Sequence, residues 1–464
     1  MPVIDTDRPS FPAASGDELQ FRSILEHAGE LARLLLKSPQ PPRQLTSEFL
    51  HSRKRFSTET RGYISSLAYH ALRCWRPATA LITGEHADVA TRMDRATAPA
   101  VCAAALHLAL VPDARYPLPQ ELRDCPWSME AIERVTRALM GSTDITRYQS
   151  HLGTDASLPD WVVSALRQRG MPDEAILRTG RELCAPSPLI LRVNIARISR
   201  KTLIHTLRDA DIGASVHPRL PAAVVIENRV SLLESSWYGD GLFEVQDAGS
   251  QLIAYACGAG PGTNVLDACA GGGGKTMHLL DLTQDSGKLL ACDIERSKLR
   301  GLRQRAARVS STTLETLALT PAGVPQLSHD NAPEEGAFDC VLVDAPCSGF
   351  GTVRRNPALK WRLKERTVQR LSHRQLDILS RNAEYVRPGG ALVYATCSLL
   401  PAENDDVVDA FLDRNPGFVS DPLLPVFSSH GLVLDELAPD ACRLTVFPSL
   451  LDSDGYFMAR FRRV

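Results

Sequence analysis

Near the start of the chain apolar residues recur at three- and four-residue steps: Phe21, Ile24, Leu25, Ala28, Leu31, Leu34 and Leu35, then Ile64, Leu67, Leu72 and Trp75. That spacing lines one face of a helix. The segment from Gly16 to about residue 150 is therefore predicted to hold several helices, broken at Pro39-Gln40-Pro41-Pro42 and around Pro112 to Pro119. Its most apolar stretch, Ala98 to Val111, contains Pro99 and His107. It falls short of the ~20 residues that span a bilayer and reads as a buried helix.

Past a polar link from Gly141 to Asp155 the pattern changes. Trp161 to Arg169 and Asp173 to Leu183 read as short helices, Pro188 to Asn194 as a strand, and Ala222 to Ile226 as another. Ser199 sits where an N-cap belongs, ahead of a helix through Leu203 and Leu207. This predicts a small α+β module over about 156–235. From 236 to 464 apolar strands alternate with helices: Asn264 to Asp267, Lys288 to Asp293, Phe338 to Asp344 and Gly390 to Thr396. Strands separated by helices pair in parallel and bind ligands at their C-terminal ends, so an α/β domain is expected there, with its chemistry on that edge.

Composition adjusts this picture in three ways. A length of 464 residues with 44% hydrophobic content suits about three domains, here 1–155, 156–235 and 236–464. The 52 Lys and Arg nearly balance the 54 Asp and Glu, for a net charge of −2, so any nucleic-acid binding must come from local patches. The 11 cysteines include no C-x-x-C pair, which argues against a disulfide framework and a ribbon-type zinc site. Free thiols in a reducing cytoplasm, no metal, no membrane and a monomer are the expectations. Met1 to Phe21 carries Asp5, Asp7, Arg8, Asp17 and Glu18 without an apolar core, unlike a signal or transit peptide.

The segment Asp267-Ala268-Cys269-Ala270-Gly271-Gly272-Gly273-Gly274-Lys275-Thr276 joins a strand to a helix. A Walker A loop would need glycine where Cys269 stands, and a dinucleotide fingerprint would need glycine at Thr276. What remains is a glycine turn that lets a ligand approach a helix N-terminus. Asp293 ends the next strand, placed to accept from ribose hydroxyls. This is the layout of a methyltransferase that binds S-adenosylmethionine.

Two further strands end in thiols: Asp344-Ala345-Pro346-Cys347-Ser348-Gly349 and Tyr394-Ala395-Thr396-Cys397-Ser398. Pyrimidine C5 is too weak a nucleophile to accept a methyl group directly. A thiolate adding at C6 activates it, a carboxyl group supports charge at N3, and a second group assists loss of H5 and release. Position alone leaves open which thiol attacks. Cys269, Cys292 and Cys340 read as buried apolar residues rather than as participants in this chemistry.

These motifs, with Glu403-Asn404 and the Cys269-Ala270-x-x-Gly-Gly-Lys-Thr turn, resemble the Sun/nucleolar-protein family of RNA cytosine-5 methyltransferases. Phe243 to Gln251, Leu191 to Asn194, Gln375 with Ile378-Leu379, and Asp454 to Phe457 extend the likeness over about 156–464. The helical segment before it resembles, more faintly, an antiterminator-type RNA-binding domain. The resemblance implies a Rossmann-like S-adenosylmethionine-dependent methyltransferase core, with Cys397 attacking C6, Cys347 assisting release, Asp344 at cytosine N3 and Lys275 supporting the site. The implied cofactor set is Cys269, Ala270, Gly271, Gly272, Gly273, Gly274, Lys275, Asp293 on the ribose, Arg300, Asp330 by the adenine, and Asp344. Asp330 would end a strand near Leu327, after a loop from Ser310 to Pro325. Two departures stand out: Gly271-Gly272 where the family often has Ala-Pro, and Ala358 where it commonly has Asp.

Between Arg354 and Arg381 nine Lys and Arg residues face only Glu365 and Asp377, a local +7. Arg354, Arg355 and Trp361 from that segment, with Arg192 on its strand beside Arg197, Arg200 and Lys201, are the expected RNA-binding residues. For Arg366 to Arg381, and for the run His51-Ser52-Arg53-Lys54-Arg55, a solvated helix face is the competing reading. A base inside a duplex cannot offer its C6 face to a thiol, so the substrate would be a single-stranded or flipped-out cytosine, in ribosomal RNA. The alternatives are transfer RNA, or a catalytically silent RNA-binding or assembly factor.

Overall fold

The computed structural model describes residues 16–84, 97–110, 116, 127–140, 151–228, 230–320 and 333–464. They form two compact units: the chain up to Pro186 together with Asn356–Arg362, and Ser187–Arg355 together with Leu363–Val464.

The first unit is helical. Helix Gly16–Lys37 buries Phe21, Ile24, Leu25, Ala28, Leu31 and Leu35 on one face, the positions marked by the three- and four-residue period. Helix Thr58–Arg73 starts at Ser57, whose side chain accepts from Thr60 N at 3.1 Å and so satisfies one of the end N–H groups. The apolar stretch forms helix Ala98–Leu110, buried almost throughout. Arg53, in the basic run, pairs with Glu30 at 2.7 Å and stacks on Phe49, so it is occupied within the unit. Among the described residues no helix is long and apolar enough to cross a membrane.

Helix Pro357–Arg362 packs into this unit's core. Ala358 is buried there, where the Asp of the family pattern would need a buried partner. Lys360 is fully buried and donates to Arg73 O at 3.0 Å. Ser157 Oγ and Cys184 Sγ converge on the same carbonyl, which lies at the C-terminus of a helix and attracts donors.

The second unit holds two sheets. Strands β1 (Leu189–Val193), β2 (Ala214–Val216), β3 (Ala223–Ile226) and β4 (Phe243–Val245) form an antiparallel sheet in the order β2-β3-β1-β4. Helix Arg200–Asp209 begins at Ser199, whose side chain accepts from Thr202 N at 3.0 Å, and it buries Leu203 and Leu207 in a core with Leu191, Val193 and Phe243. The sequence reading lacks β2, whose three residues are too few to display an alternation.

The large sheet comprises β5 (Val265–Asp267), β6 (Leu289–Asp293), β7 (Leu314–Ala318), β8 (Phe338–Asp344), β9 (Val386–Thr396), β10 (Phe418–Ser420), β11 (Arg443–Val446) and β12 (Tyr456–Arg463). Its order is β10-β12-β9-β8-β5-β6-β7, with β11 beside β12. The pairs from β7 to β9 are parallel, and β12 runs antiparallel between β9 and the edge strand β10. Helices intervene between the parallel strands, as a parallel sheet requires. Strand β7 lies inside the segment expected to be a loop. The strand expected near Leu327, Asp330 at its end, and most of the Gly141 to Asp155 link fall outside the described residues.

Candidate active site

Because β5, β6, β8 and β9 run in parallel, their C-terminal ends bring Asp267, Asp293, Asp344 and Thr396 to one edge. The turn after β5 crosses that edge. Gly273 has φ +82° and a Cβ there would stand 2.3 Å from Leu302 Cδ1, so only glycine fits. Helix Gly274–Leu282 starts immediately after it. Gly271 N donates to Asp293 Oδ2 at 2.8 Å and Glu295 N to Oδ1 at 2.7 Å, which fixes the carboxylate while leaving lone pairs to accept further donors. Arg305 holds the Gly272 carbonyl and pairs with Glu244 of β4.

A cavity of about 620 Å³ opens beside this turn, lined among others by Gly271, Asp293, Asp344, Cys347 and Cys397. Its size is that of a small-molecule site, roughly 300–1,000 Å³. Added Cβ atoms at Gly272 and Gly274 would meet nothing within 4 Å, so the turn leaves open space in front of its backbone. These residues fit a nucleoside-type cofactor: a glycine turn at a helix N-terminus, and a carboxylate facing the cavity one strand away.

Asp344 Oδ2 accepts from Lys275 Nζ at 2.7 Å. Burial works against the lysine's charge, but the Asp344 carboxylate outweighs it and holds the ammonium above its ordinary range. Beneath them Asp267 is buried and bonded to Thr276 Oγ1 at 2.7 Å. Burial pushes its carboxyl up to about 7.

The two thiols meet: Cys347 Sγ lies 3.2 Å from Cys397 Sγ. The hydrogen bond with Cys397, and burial after it, raise the Cys347 thiol well above its ordinary value. Gly351 makes the approach possible. Its N–H donates to Cys397 O at 2.9 Å, and a Cβ there would meet Gly455 O at 1.9 Å.

Of the expected cofactor set, Cys269, Gly271, Asp293 and Asp344 line the cavity. Ala270, Gly272, Gly273 and Gly274 build the turn, and Lys275 reaches Asp344. Arg300 is exposed on helix Arg296–Arg308 and is not among the cavity-lining residues. Asp330 lies outside the described residues.

Two of the expected RNA-binding residues, Arg192 and Arg354, need correction. Arg192 is 1% exposed; it pairs with Asp281 and bonds Gln246 Oε1, because β1 is an interior strand. Arg354 is buried, donating to Ser453 O and Asp452. Arg355 is held between Asp454 at 2.6 Å and Asp247 at 2.9 Å. Trp361, half-buried, packs against the helical unit's core and its Nε1 donates to Leu72 O at 2.7 Å. Burial withdraws Arg192 and Arg354 from phosphates and bases; Arg355 is paired but 43% exposed and Trp361 is half-buried, so these two are not withdrawn.

Sequence reasoning gave no role to Glu403, which is fully buried. It accepts from Ser348 N at 2.7 Å, Ser348 Oγ at 2.5 Å, Ser398 Oγ at 2.6 Å and Gln375 Nε2 at 3.0 Å. Its place six residues after Cys397, with a serine behind each thiol, was the available signal.

The model of the 16S rRNA methyltransferase RsmB/F family matches residues 256–462, and that of the RsmF/B-like ferredoxin-like domain matches residues 158–233. A probable ribosomal RNA small subunit methyltransferase B of Bacillus subtilis is 31% identical over 326 residues, covering 67% of this chain and 68% of the relative. The crystal structure of a methyltransferase homolog protein from Pyrococcus horikoshii aligns with a TM-score of 0.51 at 25% identity, over 66% of this chain and 99% of that one. NSun6 from Pyrococcus horikoshii, solved with SFG, aligns with a TM-score of 0.55 at 17% identity, over 65% of this chain and 97% of that one; it shares the fold. The large sheet with its glycine turn is thus a Rossmann-like methyltransferase core whose cofactor is S-adenosylmethionine, and the chain belongs to the 16S rRNA methyltransferase RsmB/F family.

Proposed function

We propose that this protein methylates C5 of a cytosine in ribosomal RNA, in the cytoplasm, through a covalent thiol adduct at C6. The observation that carries the reading is the pair of thiols 3.2 Å apart, on the strand edge that also bears the Lys275–Asp344 ion pair.

In this reading Cys397 is the nucleophile. Cys347 retains its proton, as its raised value favours, and Lys275 supplies positive charge near the attacking sulfur. Addition at C6 places electron density on C5 and N3 of the ring; a proton relayed from Lys275 through Asp344 neutralises N3 and returns when the adduct breaks down. S-adenosylmethionine, when bound, supplies the electrophilic methyl group. Cys347, its proton given up to water, then takes H5 as a proton; the C5–H electron pair re-forms the C5–C6 double bond, and the C6–S bond breaks with its electrons leaving on the Cys397 thiolate. The glycine turn and Asp293 hold the cofactor, with Cys269 and Gly271 along the cavity wall.

The exposed cations of helix Glu365–Ala383 are the proposed RNA surface, in place of the buried Arg192 and Arg354. Arg366, Arg370 and Arg374 are exposed at four-residue steps and so share one helix face, and Arg374 also lines the cavity. Such a row can track phosphates into the site.

Transfer of labelled methyl groups to total RNA, with the modified base mapped, tests the reading. Methylated cytosine in ribosomal RNA is expected; label in transfer RNA only, or none at all, overturns it. Cys397→Ala should abolish transfer while cofactor binding persists. Cys347→Ala should accumulate a covalent RNA adduct on a denaturing gel.

A further inference from the structure

Each active-site cysteine is followed by a serine, and both serine hydroxyls end on one oxygen of one buried carboxylate. Glu403 Oε2 accepts from Ser348 Oγ at 2.5 Å and Ser398 Oγ at 2.6 Å. Its Oε1 accepts from Ser348 N and Gln375 Nε2. Gln375 Nε2 in turn bonds Pro346 O, on the other side of Cys347, and Tyr394 Oη donates to the Glu403 carbonyl at 2.5 Å. The hydroxyl oxygens are themselves acceptors, Ser348 from Phe350 N and Ser398 from Leu400 N. Their protons are therefore committed to the carboxylate.

We infer that Glu403 is a positioning residue: it ties the Cys347 turn to the Cys397 turn and thereby sets the sulfur–sulfur distance on which release of the product depends. This rests on the proposed division of labour between the two thiols. The two turns do not depend on Glu403 equally. The Cys397 turn has its own anchors, with Thr396 Oγ1 donating to Asn404 at 2.7 Å and Asn404 Nδ2 donating to Ser398 O at 3.0 Å. The Cys347 turn is tied to the β9 edge by backbone bonds only at its ends, Ala345 N to Ala395 O and Gly351 N to Cys397 O, and between them it is held by Glu403 twice through Ser348 and once more through Gln375. Loosening the carboxylate consequently displaces the release thiol more than the attacking one.

Glu403→Gln is the informative variant. It keeps an oxygen for the Ser348 and Gln375 N–H groups, and it puts an NH2 group, which cannot accept, where both hydroxyls donate. Two measurements on the full-length protein read the effect. In the first, a bifunctional bimane reagent, fluorescent only when both arms are alkylated, bridges Cys347 and Cys397, and the bridged peptides are located by mass spectrometry. The bridge forms readily in the unmodified protein and slowly in Glu403→Gln. In the second, methyl-transfer turnover falls by about 100-fold, the scale of a misplacement near 1 Å, while the fraction of enzyme held as covalent RNA adduct rises above that of the unmodified protein. A merely structural role lowers turnover and adduct together.

An unchanged bridging rate, or turnover and adduct falling in parallel, overturns the inference. If Glu403→Gln melts well below the unmodified protein, Ser348→Ala and Ser398→Ala each remove one hydroxyl arm and are expected to slow bridging, with the larger adduct fraction in Ser348→Ala; no slowing in either overturns it equally. Bridging needs no RNA and so reports on Glu403 alone. Absence of an adduct in Cys347→Ala would count against the proposed chemistry instead.

Discussion

Lys275 Nζ stands 2.7 Å from Asp344 Oδ2, and this ion pair links the first turn of the helix after the glycine loop to the end of β8. It therefore couples the cofactor side of the cavity to the carboxyl group proposed for cytosine N3. Asp344→Asn removes the proton exchange at N3 while preserving the side-chain shape. The single-turnover rate of methyl transfer is expected to fall by about 10²–10⁴-fold, the range for a general acid–base group, with cofactor affinity by calorimetry unchanged. Because the lysine is held above its ordinary value of 10.5, the stabilisation from its charge is complete below that value. It is lost only as pH rises through the higher folded value, so a Lys275→Met variant loses activity across the whole neutral range rather than at one edge of a pH profile.

Asp267 predicts a pH-dependent stability. Its carboxyl is pushed from 3.8 to about 7, so between those values the unfolded chain ionises while the folded one keeps its proton. The unfolded state then binds fewer protons, and stability falls as pH rises. Relative to Asp267→Asn, the melting temperature of the unmodified protein is expected to decline between about pH 4 and pH 7 and to level off above that. Parallel melting curves for the two proteins across that window would contradict the assignment.

Arg192 is a test of the corrected RNA surface. Its guanidinium is buried against Asp281 and Gln246, and removing one partner of a buried pair costs about 3–5 kcal/mol. Arg192→Met should lower stability to urea by that amount and leave the RNA affinity of the folded protein unchanged. Weakened RNA binding without loss of stability would restore the surface role.

The cations of helix Glu365–Ala383 give the complementary expectation. Arg366→Gln and Arg370→Gln lie on the exposed face and should each reduce the slope of log affinity against log salt by about one, for all RNA sequences alike. Cofactor binding should be unaffected. An unaltered slope in the double variant would move the RNA path elsewhere.

Much of the architecture was legible along the chain because its signals are local. The helical period from Phe21 to Leu35 is the buried face of one helix, and the apolar runs at 264–267, 288–293, 338–344 and 390–396 each coincide with all or part of a strand of the large sheet. The thiol-bearing turns were legible too, since strand–helix alternation implies parallel strands whose C-terminal ends share an edge. Strand β7 was not, because its half-exposed residues show only one buried position.

What the sequence by itself determined is the periodicity of its elements and the identity of the reactive groups: a glycine turn, two thiols and carboxylates at strand ends. What only the tertiary structure decided is which charges are spent inside. Arg192 finds Asp281 89 residues away, Arg355 finds Asp247 and Asp454 108 and 99 residues away, and the two thiol-bearing turns, 50 residues apart, meet at Glu403. The reason is that a strand's hydrophobic pattern is written in neighbouring residues, whereas the fate of a charge depends on whether folding delivers a partner to it before water is excluded.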